Sequence, residues 1–468
     1  MQISILNGSF ADEKCDFRSS YPINLMPIFD ANSISSFYLR PADGLVKDGE
    51  FWDFCRGGIN WNGVCYRVFG SLLCSIDENN VVTQIGDVGN DYKAVTLDYG
   101  FDRLAINSCG FLHYYDGTTL SHVTDPQWTG TTSMKWVDGY YMGTDGSSLY
   151  VTDLNNPYTV QAIKYGSSEA DPDPITALLK LKNEIVALNR YTIEFFDNVG
   201  DVTGLFPFAR IEGAQIQRGC VGTLACAIFM EAVAFMGSGK NEPPSIWIGV
   251  NGSSSKLATN EIDGILKDYT EAQLAQTVFE TRVDEAQGLL YVHLVDQTLV
   301  YDSAASAIAK EPVWFVLRSS LEGKGIYRAR FLVWCYNKWL VADPSSSCFG
   351  HLDRSLSTHY GEMVGWEFAT GIGFNGGKGA IINSMELICL PGRNIKGTPK
   401  ISTQYSLDGE TWSQEKFISS GVNGNRLKRL LWLRQGMFRN WRVQKFKGTS
   451  DSFMTFARLE MDVEPLNV

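Results

Sequence analysis

A short unit recurs along most of this chain, and it is made of strands. An apolar strand, a polar turn and a second apolar strand are followed by an aromatic-rich strand ending in Asp, Gly or Asn. Instances occupy residues 63–76, 103–116, 134–153, 177–197, 225–250, 287–302 and 331–352. The clearest sets Ile185-Val186-Ala187-Leu188 against Ile193-Glu194-Phe195-Phe196 around a short turn. Asp116-Gly117, Asp138-Gly139, Asp145-Gly146, Asn251-Gly252 and Asp408-Gly409 mark hairpins, because both residue types tolerate the positive φ of tight turns between twisted strands. Successive units start roughly 30–50 residues apart, the size of a four-stranded propeller blade. Residues 51–353 therefore read as a β-propeller of six or seven blades, with a large sandwich or two stacked β-domains as the competing arrangement. Helical spacing is confined to 260–276, where Ile262, Ile265, Leu266, Tyr269 and Leu274 share a face and Thr270 begins a second N-cap signal.

Two flanks remain. Residues 1–50 contain Pro22, Pro27 and Pro41 and no evident long strand, which predicts an extended N-terminal arm laid over the body. Residues 354–468 carry six strand patterns, at 386–390, 399–406, 415–418, 427–433, 441–446 and 453–463, which predict a C-terminal β-sandwich. The expected class is all-β throughout. At 44% hydrophobic and 20% charged residues, the composition is that of a packed globular chain and excludes wholesale disorder. The N-terminus lacks a signal-peptide pattern, and the longest apolar stretch, 221–236, is interrupted by Glu231, so no membrane span is expected. Ten cysteines form no Cys-x-x-Cys pair and five histidines give no zinc-ligand spacing. Buried free thiols in a reducing compartment, and no metal site, are expected.

Motifs of catalysis fail in turn. Gly371-Ile372-Gly373-Phe374-Asn375-Gly376 spells a dinucleotide fingerprint, but a strand pattern follows where the pyrophosphate needs a helix. Gly237-Ser238-Gly239-Lys240-Asn241 lacks both the hydroxyl residue and the first glycine of a phosphate loop. Ser406-Leu407-Asp408-Gly409-Glu410-Thr411-Trp412 approximates the Asp-box of sialidase propellers but reads better as a structural hairpin tip with the Trp packed beneath. No nucleophile elbow or zinc-protease helix is present, so no catalytic residue and no cofactor is nominated. A sialidase-like carbohydrate-active propeller enzyme is the alternative function.

Charge is distributed unevenly. The chain has 40 basic and 52 acidic side chains, a net −12, which opposes a surface that grips nucleic acid throughout. Between residues 416 and 447, however, lie nine cations and no acid: Lys416, Arg426, Lys428, Arg429, Arg434, Arg439, Arg442, Lys445 and Lys447. The remainder therefore sums to −21. Trp432, Phe438, Trp441 and Phe446 are interleaved with these cations. Arg426, Lys428, Arg429, Arg434, Arg439, Arg442, Lys445 and Lys447 are the candidate contacts to a partner or to phosphate, an acidic protein partner being favoured over DNA. The competing arrangement is a pair of strands with cations outward and aromatics inward.

The order of segments resembles the tail hub, or packaged-DNA stabilisation, proteins of short-tailed phages, with the podoviral nozzle proteins more distant. The resemblance rests on Tyr21-Pro22-Ile23-Asn24-Leu25 and Tyr38-Leu39-Arg40-Pro41-Ala42-Asp43-Gly44-Leu45 in the arm. In the body it rests on Gly86-Asp87-Val88-Gly89, His113-Tyr114-Tyr115-Asp116-Gly117, Thr192-Ile193-Glu194-Phe195-Phe196 and the segments 262–270, 289–294 and 299–302. Near the end it rests on Leu431-Trp432-Leu433-Arg434, the basic strand 439–447 and Arg458-Leu459-Glu460. The resemblance implies a homo-hexameric ring below the portal protein, assembled in the host cytoplasm and located in the virion tail. Such a ring extends the DNA channel, lets double-stranded DNA pass without sequence-specific binding, retains the packaged genome, and docks the tail needle or plug and the tailspikes or fibres. No catalytic residue is implied. An acidic lumen would suit that passage, and the exposed apolar positions of loops 371–379 and 421–425 are expected contacts.

Overall fold

The computed structural model describes residues 2–11, 16–30, 34–128, 130–154, 156–168, 171–200, 205–285, 287–395 and 397–466. Seven four-stranded antiparallel sheets follow one another, and each of the seven repeat units falls in a different sheet. Their first strands are Cys55–Trp61, Thr96–Tyr99, Ser133–Val137, Ile175–Leu181, Cys226–Phe229, Val278–Asp284 and Arg330–Cys335. Each touches the next and the last touches the first, so the ring is closed: a seven-bladed propeller with the first strands around the axis.

Burial explains why the repeat was visible in sequence. Second strands such as Leu104–Ser108, Tyr140–Thr144 and Ala232–Gly237 are buried along their whole length, because blades cover both of their faces. They consequently read as unbroken apolar runs and not as an alternation. Most fourth strands face solvent, for example Val82–Asp87 and Ser253–Lys256, and their polar sequences hid them. The fourth strand of the sixth blade, Val313–Leu317, is fully buried because Leu25–Phe29 of the arm packs on it.

The last blade is completed from the other end of the sequence. Gly44–Glu50 is its outer strand, paired antiparallel with Cys348–Asp353 from Gly44↔Asp353 to Glu50↔Cys348. A strand of seven residues thus lies where no long strand was expected, its polar Lys47-Asp48-Gly49-Glu50 half being typical of an outer position. Contact there is close: a Cβ on Gly350 would stand 1.8 Å from the Val46 carbonyl oxygen.

Two further sheets form the sandwich. One runs Leu430–Phe438, Ala380–Leu390, Thr455–Pro465, Phe37–Pro41, Leu25–Phe29, with Gln2–Ile3 also on Thr455–Pro465. The other runs Gly365–Ala369, Trp441–Thr449, Lys400–Ser406, Lys416–Ser419, with Gly373–Phe374 also on Trp441–Thr449. All six strand patterns of the sequence are present. Trp366, Phe368, Trp432, Phe446 and Phe456 fill the space between the sheets.

The arm is woven into both parts. Buried Asn24 donates its amide to the carbonyls of Arg318 (2.9 Å) and Gly365 (2.7 Å) and accepts from the Arg318 amide (3.0 Å), tying the sixth blade to the first sandwich strand. Asp43, also buried, pairs with Arg282 of the sixth blade at 2.7 Å and with Arg40 at 3.3 Å.

Between blades five and six, Thr259 caps Asn260–Leu266 and Thr270 caps Glu271–Leu274 with a full capping box, as the spacing predicts. A third helix, Ser303–Ala309, interrupts the sixth blade; its Ser/Ala-rich sequence lacks an apolar stripe and gave no helical signal. The described cysteines are free thiols. Cys55, Cys65, Cys74 and Cys335 share one apolar cluster between the first and seventh blades, whereas Cys15 lies outside the described residues.

Candidate assembly surfaces

The basic segment is divided by the sandwich. Arg426, Arg434 and Arg439 are exposed and Lys428 half-exposed, and none of them forms an ion pair within the described residues. Arg434 and Arg439 lie in and just after Leu430–Phe438, an edge strand of its sheet, and Arg426 and Lys428 lie in the loop leading into it. Leu427 (91% exposed), Leu433 and Met437 stand bare beside them. A bulge at Arg434 (φ +51°) and Gly436 (φ +79°) breaks the regular register of this edge.

The other predicted contacts are already engaged. Arg429 holds Glu386 in a forked pair, Lys445 reaches Glu367 at 3.3 Å and lies 3.9 Å from the centre of the Trp412 ring, and Lys447 is 3.8 Å from Glu367. Burial pushes the Lys445 ammonium below the usual lysine range. Arg442 is only 4% exposed and points into the sandwich interior. Of the interleaved aromatics, Trp432, Phe438 and Phe446 are buried, while Trp441 packs edge-on against Phe17. Sequence could not separate the two groups, because both lie on strands whose face assignment depends on the opposing sheet.

At one end of the propeller axis, a cavity of about 1180 Å³ is lined from the starts of first strands and from turns between second and third strands. Its walls hold three acids, Asp53, Asp91 and Asp145, and three bases, Arg56, Lys93 and Arg330. Arg56 is locked by the carbonyls of Lys93, Gly70 and Gly89 and by Asp91. This mouth is therefore charge-balanced. Tyr92 (87% exposed) and Phe54 stand at its rim, and Phe101 (93% exposed) projects from the turn after the second blade's first strand. These isolated aromatics within polar loops carried no periodic signal.

The sequence motifs behave as structure. Gly373–Phe374 is a two-residue strand followed by another strand, so the dinucleotide spelling has no helix behind it. Lys240 pairs with Asp171 at 2.7 Å. Asp408 accepts the Thr411 hydroxyl, the amides of Thr411 (2.8 Å) and Glu410 (3.0 Å) and the Ser406 hydroxyl (2.9 Å), which hold its carboxyl well below the usual range. That carboxylate closes a hairpin turn. Phe374 and Val422 of the two glycine-rich loops are exposed.

Residues 1–357 match the family described as bacteriophage P22 Gp10, beta-propeller, and residues 365–464 match bacteriophage P22 Gp10, beta-sandwich. The chain belongs to the bacteriophage P22 Gp10 family. Its likeness to the tail hub protein gp10 of Salmonella phage P22 is 26% identity, spanning 99% of each chain. It is thus a podovirus tail hub protein, a structural component of the virion tail, with the expected propeller and sandwich. Among solved structures, the N-terminal domain of Nup159 aligns with a TM-score of 0.43 at 10% identity over 71% of this chain and 98% of its own. The Neurospora crassa Pan2 WD40 domain gives 0.41 at 10% identity over 67% and 94%.

Proposed function

We propose that this protein forms a homo-hexameric ring beneath the portal protein, extends the DNA channel, retains the packaged genome, and docks the needle or plug and the tailspikes or fibres. The reading rests on the match to the P22 tail hub protein across both the propeller and the sandwich. It is a passive role without catalysis. Charge supports a ring as well: a cationic edge at Arg426, Lys428, Arg434 and Arg439, without ion pairs among the described residues, belongs to a chain that carries −21 outside residues 416–447. A neighbouring copy or portal subunit with an acidic surface complements that edge, and such contacts steer association as well as fixing register. The division is an arm over 1–50, a propeller over 51–353 and a sandwich over 354–468, with the arm as the seam because it gives Gly44–Glu50 to the last blade and Leu25–Phe29 and Phe37–Pro41 to a sandwich sheet.

The test is reconstitution with the cognate portal ring, followed by electron microscopy and light scattering. Six-fold particles are expected. A double reversal, Arg434→Glu with Arg439→Glu, should leave a folded monomer that fails to join them. A wild-type protein that stays monomeric with portal present, or a reversed variant that assembles normally, refutes respectively the ring or the use of this edge.

A further inference from the structure

Arg442 is an unusual residue for a sandwich interior. It sits on Trp441–Thr449 in the second sheet, is 4% exposed, and has no carboxylate partner among the described residues. Its Nε and Nη2 donate to Gln444 Oε1 at 3.2 and 3.0 Å, and its Nη1 donates to the Gln435 carbonyl at 2.7 Å across the gap to the first sheet. The guanidinium lies over the Tyr405 ring, 3.9 Å from its centre. A guanidinium has five N–H donors, so one on each terminal nitrogen is left over. Buried charges are ordinarily paired, because an unpaired one has lost its hydration without compensation. Lys416, itself exposed, approaches from the rim: it donates to Gln435 Oε1 at 3.2 Å, and partial burial together with the charge of Arg442 holds it below the usual lysine range. Burial lowers Arg442 itself to about 10.

Among the described residues none fills the space beside this charge. A cavity of about 230 Å³ opens between the two sheets, with Arg442 and Gln444 on one side and Ile382, Phe438, Met461 and Val463 as apolar walls. Phe374, 60% exposed, lines it as well. It is somewhat larger than the ~150 Å³ apolar cavities that hold a benzene molecule.

We propose that this cavity binds a carboxylate bearing a short apolar tail, with Arg442 as the counter-charge. The carboxylate takes the two remaining N–H groups in the forked geometry that guanidinium and carboxylate share. The tail covers Ile382, Phe438, Met461 and Val463. Sulfate or phosphate fits poorly, since neither offers anything to those walls. Two sources share the chemistry, a free aliphatic acid and the terminal carboxylate of a peptide ending in an apolar residue. The site is independent of ring formation and is tested on the purified chain.

The experiment titrates the protein with isocaproate, its methyl ester, sulfate, and acetyl-Gly-Leu as free acid and as amide, by calorimetry and ligand-observed NMR. Saturable binding of isocaproate is expected, with no binding of the ester, sulfate or amide. Arg442→Gln should weaken it by roughly thirty-fold, the value of hydrogen bonds to a charged group. Val463→Trp, which fills the cavity and leaves Arg442 in place, should abolish it, so the outcome does not hang on one buried substitution. Tighter binding of the peptide acid than of isocaproate identifies a chain terminus as the occupant, and the reverse order identifies a free acid. Equal binding of acid and ester, absence of saturable binding by either acid, or retention of binding by Val463→Trp overturns the proposal.

Discussion

Replacing Asp43 by Asn tests how the arm is held. The exchange keeps volume and removes one buried charge from between two guanidinium groups. Asp43 Oδ2 lies 2.7 Å from Arg282 and Oδ1 lies 3.3 Å from Arg40, and the Asp43 and Arg282 side chains are 4% and 6% exposed. Arg282 retains Asp284 at 2.5 Å, but that acid is half-exposed, and Arg40 retains no other ion pair among the described residues. Burial already pushes Arg40 below the usual arginine range, with Arg282 adding repulsion. Taking one partner from a buried pair costs about 3–5 kcal/mol, because the remaining charge stays desolvated. With a urea slope near 3 kcal/mol/M, that is a shift of about 1 M or more in midpoint. Urea unfolding followed by tryptophan fluorescence measures it, and Trp339, 5.8 Å beneath Arg282, lies next to the perturbed pair. A double-mutant cycle with Arg282→Met isolates the coupling: the double variant should be more stable than the sum of the single losses predicts. A loss below about 1 kcal/mol for Asp43→Asn, or strict additivity, refutes the view that this pair locks the arm to the sixth blade.

Three further outcomes follow from the same packing. Gly350→Ala, whose Cβ would press on the Val46 carbonyl, should destabilise the closing strand by about 1–3 kcal/mol and expose 44–50 to limited proteolysis; an unchanged digestion pattern contradicts it. Asn24→Ala strands the Arg318 and Gly365 backbone groups and places a less suitable residue at φ +54°, so thermal unfolding should fall by several degrees, whereas an unaltered melt would show that the seam is held elsewhere. Burial lowers His359 from an ordinary value near 6.5 to about 3. The unfolded chain takes this proton below about 6.5 and the folded one does not until about 3, so stability should drop as pH falls through that window, by up to about 1.4 kcal/mol per pH unit. His293 and His113 are also lowered by burial and add to the slope, which His359→Asn should reduce; an identical slope in that variant would reject the assignment.

Local sequence determined the inner strands of the blades and many of their turns, and narrowed the blades to six or seven. Second blade strands are covered on both faces, so their apolar runs registered without knowledge of the neighbours, as did Thr259, Thr270 and the 260–276 face. What local pattern could not reach was any decision made by distant chain. The outer strand of the seventh blade is polar and pairs with a segment some three hundred residues away, and Val313–Leu317 is buried only because the arm returns to cover it. The nine cations of 416–447 look alike in one dimension; the facing sheet places Arg442 inside, neighbouring strands of their own sheets supply acids to Arg429, Lys445 and Lys447, and Arg434 and Arg439 are left to solvent. Periodicity records which face of a strand is apolar, whereas the identity of what covers that face is a long-range contact and exists only once the chain has closed on itself.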